Sequence, residues 1–190
     1  MPASEAYRGQ VSLLVRVLPL VAEEDVFALK GGTAINLFVR DLPRLSVDID
    51  LTYLPVEDRA TSLANIDAAI RRIAARIAES VPRSRTQAVP LHSEGAATKV
   101  LVTSDGVQIK IEVTPVIRGC VYSPETRSVC DRVEELFGYA EVPVVSFPDL
   151  YAGKIIAALD RQHPRDLFDV RDLLANEGIS DELRRAFIVY

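Results

Sequence analysis

Between Val107 and Val113 the chain alternates strictly, with Val107, Ile109, Ile111 and Val113 on one side and Gln108, Lys110 and Glu112 on the other. A period of two describes a β-strand with one dry and one wet face, and such a strand persists only in a sheet whose dry face is covered. The same pattern occurs earlier, where Val47, Ile49 and Leu51 alternate with Asp48, Asp50 and Thr52. Two helical covers are also written in the chain. Val11, Leu14, Leu18 and Val21 recur at helical spacing around Pro19, which is expected to bend or end that helix. Leu63, Ile66, Ile70, Ile73 and Ile77 mark a second helix from roughly Asp58 to Glu79, stopped by Pro82.

The remaining signals complete an α+β plan, a mixed sheet flanked by helices over 1–145 followed by a helical region over 146–190. Phe27 to Leu29 is a short strand that runs into Gly31 and Gly32, and Ala34, Leu37 and Phe38 then mark a helix to about Arg40. Further strands are expected near Gln87 to His92, over Lys99 to Thr103, and over Val142 to Val145, with a hairpin turn at Asp105-Gly106. Arg118 to Glu125 reads as loop and Asp131 to Phe137 as a short helix. From Ser146 the pattern is helical: Ser146 caps a helix that Pro148 helps start, His163 and Pro164 break it, and further helices run from Arg165 to Ala175 and from Asp181.

Composition narrows the function classes. The 190 residues are 48% hydrophobic and 26% charged, which suits one globular unit and excludes collagen, coiled coil and disorder. No apolar run approaches the roughly 20 residues needed to cross a bilayer, and Met1 to Gln10 lacks the marks of a signal peptide, so a cytoplasmic protein with no membrane partner is expected. Cys120 and Cys130 lack the partners of a structural zinc site and are expected to be unbridged thiols. His92 and His163 are too few and too separated for a metal cluster. A net charge of −5 excludes a protein that coats nucleic acid through bulk charge. Arg71, Arg72, Arg76, Arg83 and Arg85 leave a local basic groove open, beside the plainer reading of a solvated helix face.

The chemistry concentrates in Lys30-Gly31-Gly32-Thr33, then Ser46-Val47-Asp48-Ile49-Asp50, then Glu112. Glycines at a strand-to-helix junction let backbone approach a phosphate, and the N–H groups that open the helix attract an anion. Asp48 and Asp50, two apart on a strand, share a face and can jointly hold a hard divalent cation such as Mg²⁺, with Glu112 as a candidate third carboxylate. Like charges so placed destabilise a strand unless a cation or arginine compensates them. The structural alternative is that Arg40 and Arg44 simply pair with the two aspartates. Together the pieces point to nucleotidyl transfer, with a nucleoside triphosphate (NTP) as donor.

Lys30 to Leu37 followed by Arg44 to Asp50, and later Lys154 to Leu159 with Arg161 and Pro164-Arg165-Asp166-Leu167-Phe168-Asp169, resemble the two signatures of the AbiEii/AbiGii family of nucleotidyltransferase toxins, which includes a MenT branch. The resemblance implies a DNA polymerase β-like nucleotidyltransferase fold, Mg²⁺-dependent use of an NTP, and a type IV toxin–antitoxin system with a cognate antitoxin. For the MenT branch it implies nucleotide addition to the 3′ end of tRNA, which blocks translation. Carried over by position, Gly31, Gly32 and Thr33, with Ser46 beside them, hold the triphosphate, and Asp48 and Asp50 bind metal. Lys154 contacts the phosphates, and Asp166 or Asp169 is the later essential aspartate. A phosphate on Thr33 or Ser46 would repel the donor. Relatives extend beyond the point where this chain stops, inside the apolar stretch Ala186 to Tyr190, which is expected to mark a truncation, an interface or a compact branch. Two alternatives stand beside the tRNA-directed toxin: an enzyme modifying a protein or a small molecule such as an aminoglycoside, and an inactive binding module of the same fold.

Overall fold

The computed structural model describes residues 5–91 and 95–190. Its strands are β1 (Phe27–Lys30), β2 (Asp48–Tyr53), β3 (Arg85–Pro90), β4 (Ala97–Ser104), β5 (Val107–Arg118), β6 (Glu125–Ser128) and β7 (Glu141–Val144). They form one sheet in the order β3-β4-β5-β2-β1-β7-β6. The β2–β5 and β1–β7 pairs are parallel and the other neighbours antiparallel, so the sheet is mixed, as expected. Helices α1 (Glu5–Ala22) and α3 (Arg59–Ser80) cover the dry face. Val11, Leu14, Ile66, Ile70 and Ile73 are fully buried there, in one cluster with Ile49, Leu51, Ile109 and Ile111. Pro19 does not stop α1, which continues to Ala22. Asp58 caps α3, accepting a hydrogen bond of 3.0 Å from the Thr61 amide.

Three features depart from the sequence-based expectation. After β1, a short helix α2 (Gly31–Ala34) widens over Ile35–Val39 to hydrogen bonds spanning five residues, such as Arg40 N–H to the Ile35 carbonyl at 2.8 Å. That wider turn buries Ile35, Asn36, Leu37 and Phe38 in succession, which a regular helix cannot do with one face. Strand β5 runs five residues past Val113, to Arg118, after a register shift against β2 between Leu51 and Tyr53. Strand β6 lies within a polar edge and has no apolar alternation to announce it. Strand β3 matches the polar strand expected near Gln87, but His92 lies outside the described residues.

Beyond α4 (Asp131–Phe137) and β7 come α5 (Phe147–Arg161), α6 (Pro164–Asn176) and α7 (Asp181–Val189). Leu150, Tyr151, Leu173, Leu183 and Ala186 from these helices join the same buried cluster as the sheet. Two side chains from the segment after the widened turn reach α6 and the residue that ends it: Arg40 makes a bidentate pair with Glu177, and Arg44 with Asp169 at 3.0 and 2.6 Å. Among the described residues, no helix is long and apolar enough to cross a membrane.

Candidate active site

The wet face of the sheet carries a row of charge across four strands. Register places Lys30 of β1 opposite Asp50 of β2, Asp50 beside Glu112 of β5, and Glu112 opposite Lys99 of β4. In the neighbouring row Asp48 stands beside Lys110. Glu112 accepts from both lysines, at 2.7 Å from Lys110 Nζ and 3.1 Å from Lys99 Nζ. Burial pushes its carboxyl up, but the two ammonium groups outweigh that and hold it below the usual carboxylate range. Asp50 is the converse: burial raises its carboxyl, Lys110 and Lys30 oppose, Asp48 and Glu112 add to the rise, and the result is a raised pKa. Lys30 is lowered by burial although Asp50 favours its charge.

The turn from β1 into α2 is fitted to this floor. Gly31 has φ +75°, and a Cβ there would lie 2.7 Å from Asp50 Oδ2, so a side chain is excluded both by conformation and by contact. A Cβ on Gly32 would meet Ser46 Oγ at 3.0 Å and Arg44 Nη2 at 3.1 Å. Thr33 is fully buried; its hydroxyl donates to the Asp48 carbonyl and lies 3.0 Å from Ser46 Oγ. Thr33 and Ser46 thus fasten the start of β2 to α2 and aim Asp48. Neither Arg40 nor Arg44 reaches the two aspartates, because both are engaged with α6 and Glu177.

Lys154, on α5, is buried and meets two carboxylates, Asp166 Oδ1 at 2.9 Å and Asp169 Oδ2 at 3.2 Å. Arg161 also holds Asp166, and Arg44 also holds Asp169, so five charges form the chain Arg44, Asp169, Lys154, Asp166, Arg161. Burial would raise the Asp166 carboxyl, but Arg161 and Lys154 together bring it down to about 2. Both later aspartates therefore contact the lysine. His163 caps α6 through a 3.2 Å bond from the Arg165 amide to Nδ1.

Floor and helices enclose an open cleft of roughly 480 Å³ lined by Lys30, Gly31, Asp48, Asp50, Lys110 and Glu112 on one side and Lys154 and Arg161 on the other. Its inner wall depends on Asp149, which no motif in the sequence singles out. This buried carboxylate accepts from the Val121 amide at 2.7 Å, the Tyr122 amide at 3.0 Å, Ser146 Oγ at 2.6 Å and the Tyr190 hydroxyl at 3.0 Å. Burial and the neighbouring Asp149 push the Tyr190 phenol up. The helix N-cap signal at Ser146 is local and legible; the long-range partners of Asp149 are not. The arginines of the basic stretch lie away from the cleft. Arg72 and Arg76 clasp Glu24, Arg71 holds Asp67 and Arg83 holds Asp105.

The donor set of Asp48 and Asp50 suits a hard divalent cation: two carboxylates without a direct ion-pair partner among the described residues, side by side on an open face. Among the described residues no three acidic, histidine or cysteine side chains are gathered into a closed metal site. Glu112 is adjacent by register but already engaged by two lysines.

Solved structures of nucleotidyltransferases share this fold. MenT4, a nucleotidyltransferase toxin from Mycobacterium tuberculosis H37Rv, superposes with a TM-score of 0.72 at 16% identity, covering 98% of this chain but 65% of MenT4. The solution structure of the antibiotic-resistance factor ANT(2'')-Ia matches with a TM-score of 0.53 at 15% identity over 95% of this chain and 90% of that one. A crystal structure of ANT(2'')-Ia with adenylyl-2''-tobramycin gives 0.52 at 16% identity over 95% and 98%. No curated protein matches the chain in sequence. The family described as "Nucleotidyl transferase AbiEii toxin, Type IV TA system" matches residues 12–190, and the chain belongs to that family.

Proposed function

We propose that the protein is a toxin that transfers a nucleotide from an NTP to the 3′ end of tRNA, blocking translation in the cytoplasm until a cognate antitoxin restrains it. One observation carries the reading: Asp48 and Asp50 face the cleft together, beside the Gly31 turn, with neither Arg40 nor Arg44 drawn onto them. The terminal RNA hydroxyl attacks the α-phosphorus, a new P–O bond forms, the bond to pyrophosphate breaks, and the hydroxyl proton leaves to solvent. Asp48 and Asp50 would hold Mg²⁺, which when bound supplies positive charge to the triphosphate and acidifies the attacking hydroxyl. Gly31 and Gly32 let the α2 backbone approach the donor, and Thr33 and Ser46 keep Asp48 aimed. Lys154 and Arg161 give the opposite wall its positive charge.

Incubation with total tRNA, Mg²⁺ and each labelled NTP in turn tests the reading. Lengthened tRNA, lost in Asp48→Asn, is the expected result; wild-type protein inert toward every RNA overturns it. The charge distribution favours a second reading, in which the acceptor is a small cationic molecule. The chain carries −5, and Arg71, Arg72 and Arg76 of α3 are spent on carboxylates rather than presented at the cleft. Transfer to an aminoglycoside but to no RNA would establish it. An inactive binding module would show no transfer and equal partner affinity in wild type and Asp48→Asn.

A further inference from the structure

Three carboxylates, Asp48, Asp50 and Glu112, occupy neighbouring positions on one face of β2 and β5. Side-by-side acids repel, and the fold has to tolerate them before any ligand arrives. The obvious cations are committed elsewhere: Arg40 to Glu177, Arg44 to Asp169, and Lys154 to Asp166 and Asp169. Lys99 approaches Glu112 from the far side, on β4. Lys30 flanks Asp50 from β1. Lys110 alone stands inside the group, as the register neighbour of Asp48, two residues before Glu112 on the same face, with Nζ 2.7 Å from Glu112 Oε2 and its side chain lining the cleft.

We propose that Lys110 is a built-in counter-ion: its ammonium steadies the acidic floor in the metal-free protein and opposes the divalent cation that Asp48 and Asp50 take up. The proposal rests on the reading of Asp48 and Asp50 as cation ligands. A divalent ion on those carboxylates stands near the ammonium as a like charge, and in a half-buried cleft that repulsion is only partly screened. Lys110 therefore weakens cation binding while strengthening the metal-free fold. A purely structural lysine does only the second. A lysine that only holds the donor changes nucleotide affinity and leaves cation affinity alone.

The test uses the full chain and Mn²⁺ alone, with free Mn²⁺ followed by electron paramagnetic resonance and melting followed in chelator and in saturating Mn²⁺. Lys110→Gln keeps a donor for Glu112 but removes the charge. It is expected to bind Mn²⁺ about tenfold tighter, to melt lower than wild type in chelator, and to close that gap when Mn²⁺ is saturating. Lys110→Arg, which keeps the charge, stays close to wild type. Unchanged or weaker Mn²⁺ affinity in Lys110→Gln overturns the proposal. Should Lys110→Gln fold only with Mn²⁺, the midpoint of its Mn²⁺-dependent refolding reads the same affinity. Asp48→Asn separates the two failures: if it binds Mn²⁺ as wild type does, the assignment of the acid pair is wrong, and Lys110 is then not the cause.

Discussion

The acidic floor and the ion cluster on α5 and α6 use the same residue types to opposite ends. In the cluster each buried carboxylate meets two cations, Asp169 with Arg44 and Lys154, Asp166 with Lys154 and Arg161. On the floor only Glu112 is satisfied in that way, and Asp48 and Asp50 form no direct ion pair among the described residues. A satisfied cluster holds shape, because removing one partner strands a buried charge. An unsatisfied pair holds capacity for a ligand and contributes nothing to stability until one comes. On the reading proposed above, shape rests mainly on the cluster and cation uptake on the floor, and substitutions should sort accordingly.

Asp48→Asn is expected to lower nucleotidyl transfer at least ~10³-fold while leaving the metal-free melting temperature unchanged or raised, since it removes a like charge. A drop of several degrees would instead make the floor structural and erase the contrast. Asp169→Asn should do the reverse, costing about 3–5 kcal/mol in urea denaturation because Arg44 and Lys154 lose a shared partner; a loss under ~1 kcal/mol would show that the cluster is not what holds α6. Gly31→Ala lies between the two regimes. The left-handed backbone and the contact with Asp50 should cost about 2–3 kcal/mol and depress transfer as well, which circular dichroism melts and the tRNA assay can read on one preparation.

Acid sharpens the contrast with a smaller effect. Asp166 is held at about 2 against an ordinary 3.8, so the unfolded chain protonates there before the folded one does. Its contribution, up to roughly 2 kcal/mol, is complete above about pH 4 and is lost as the pH falls toward 2. Urea titrations between pH 6 and pH 3 should therefore show a steeper fall in stability for wild type than for Asp166→Asn. Parallel profiles would mean that Asp166 does not carry the acid sensitivity.

Much of this arrangement is legible in the amino-acid sequence. Alternation at Val47 to Leu51 and Val107 to Val113 specifies both strands and puts Asp48, Asp50, Lys110 and Glu112 on the wet face, because period two leaves no other arrangement. The covering helices follow from their apolar stripes. What stays hidden depends on distance along the chain. The family resemblance gives Lys154 a phosphate to hold, but no local spacing announces the two carboxylates, 12 and 15 residues away on α6, that meet it in the fold. Arg44 finds Asp169 across 125 residues, a partner no local spacing encodes. Strand β6 is likewise invisible, because Glu125 to Ser128 is defined by pairing with β7 rather than by burial.

Asp149 gathers two amides, a serine hydroxyl and the Tyr190 phenol onto one carboxylate at the inner wall of the cleft. It is a keystone: the loop at 121–122, the cap of α5 and Tyr190 are fixed by the same two oxygens, so they cannot loosen one at a time. Loss of that carboxylate would therefore loosen the inner wall of the cleft as a whole, whatever becomes of the acid pair.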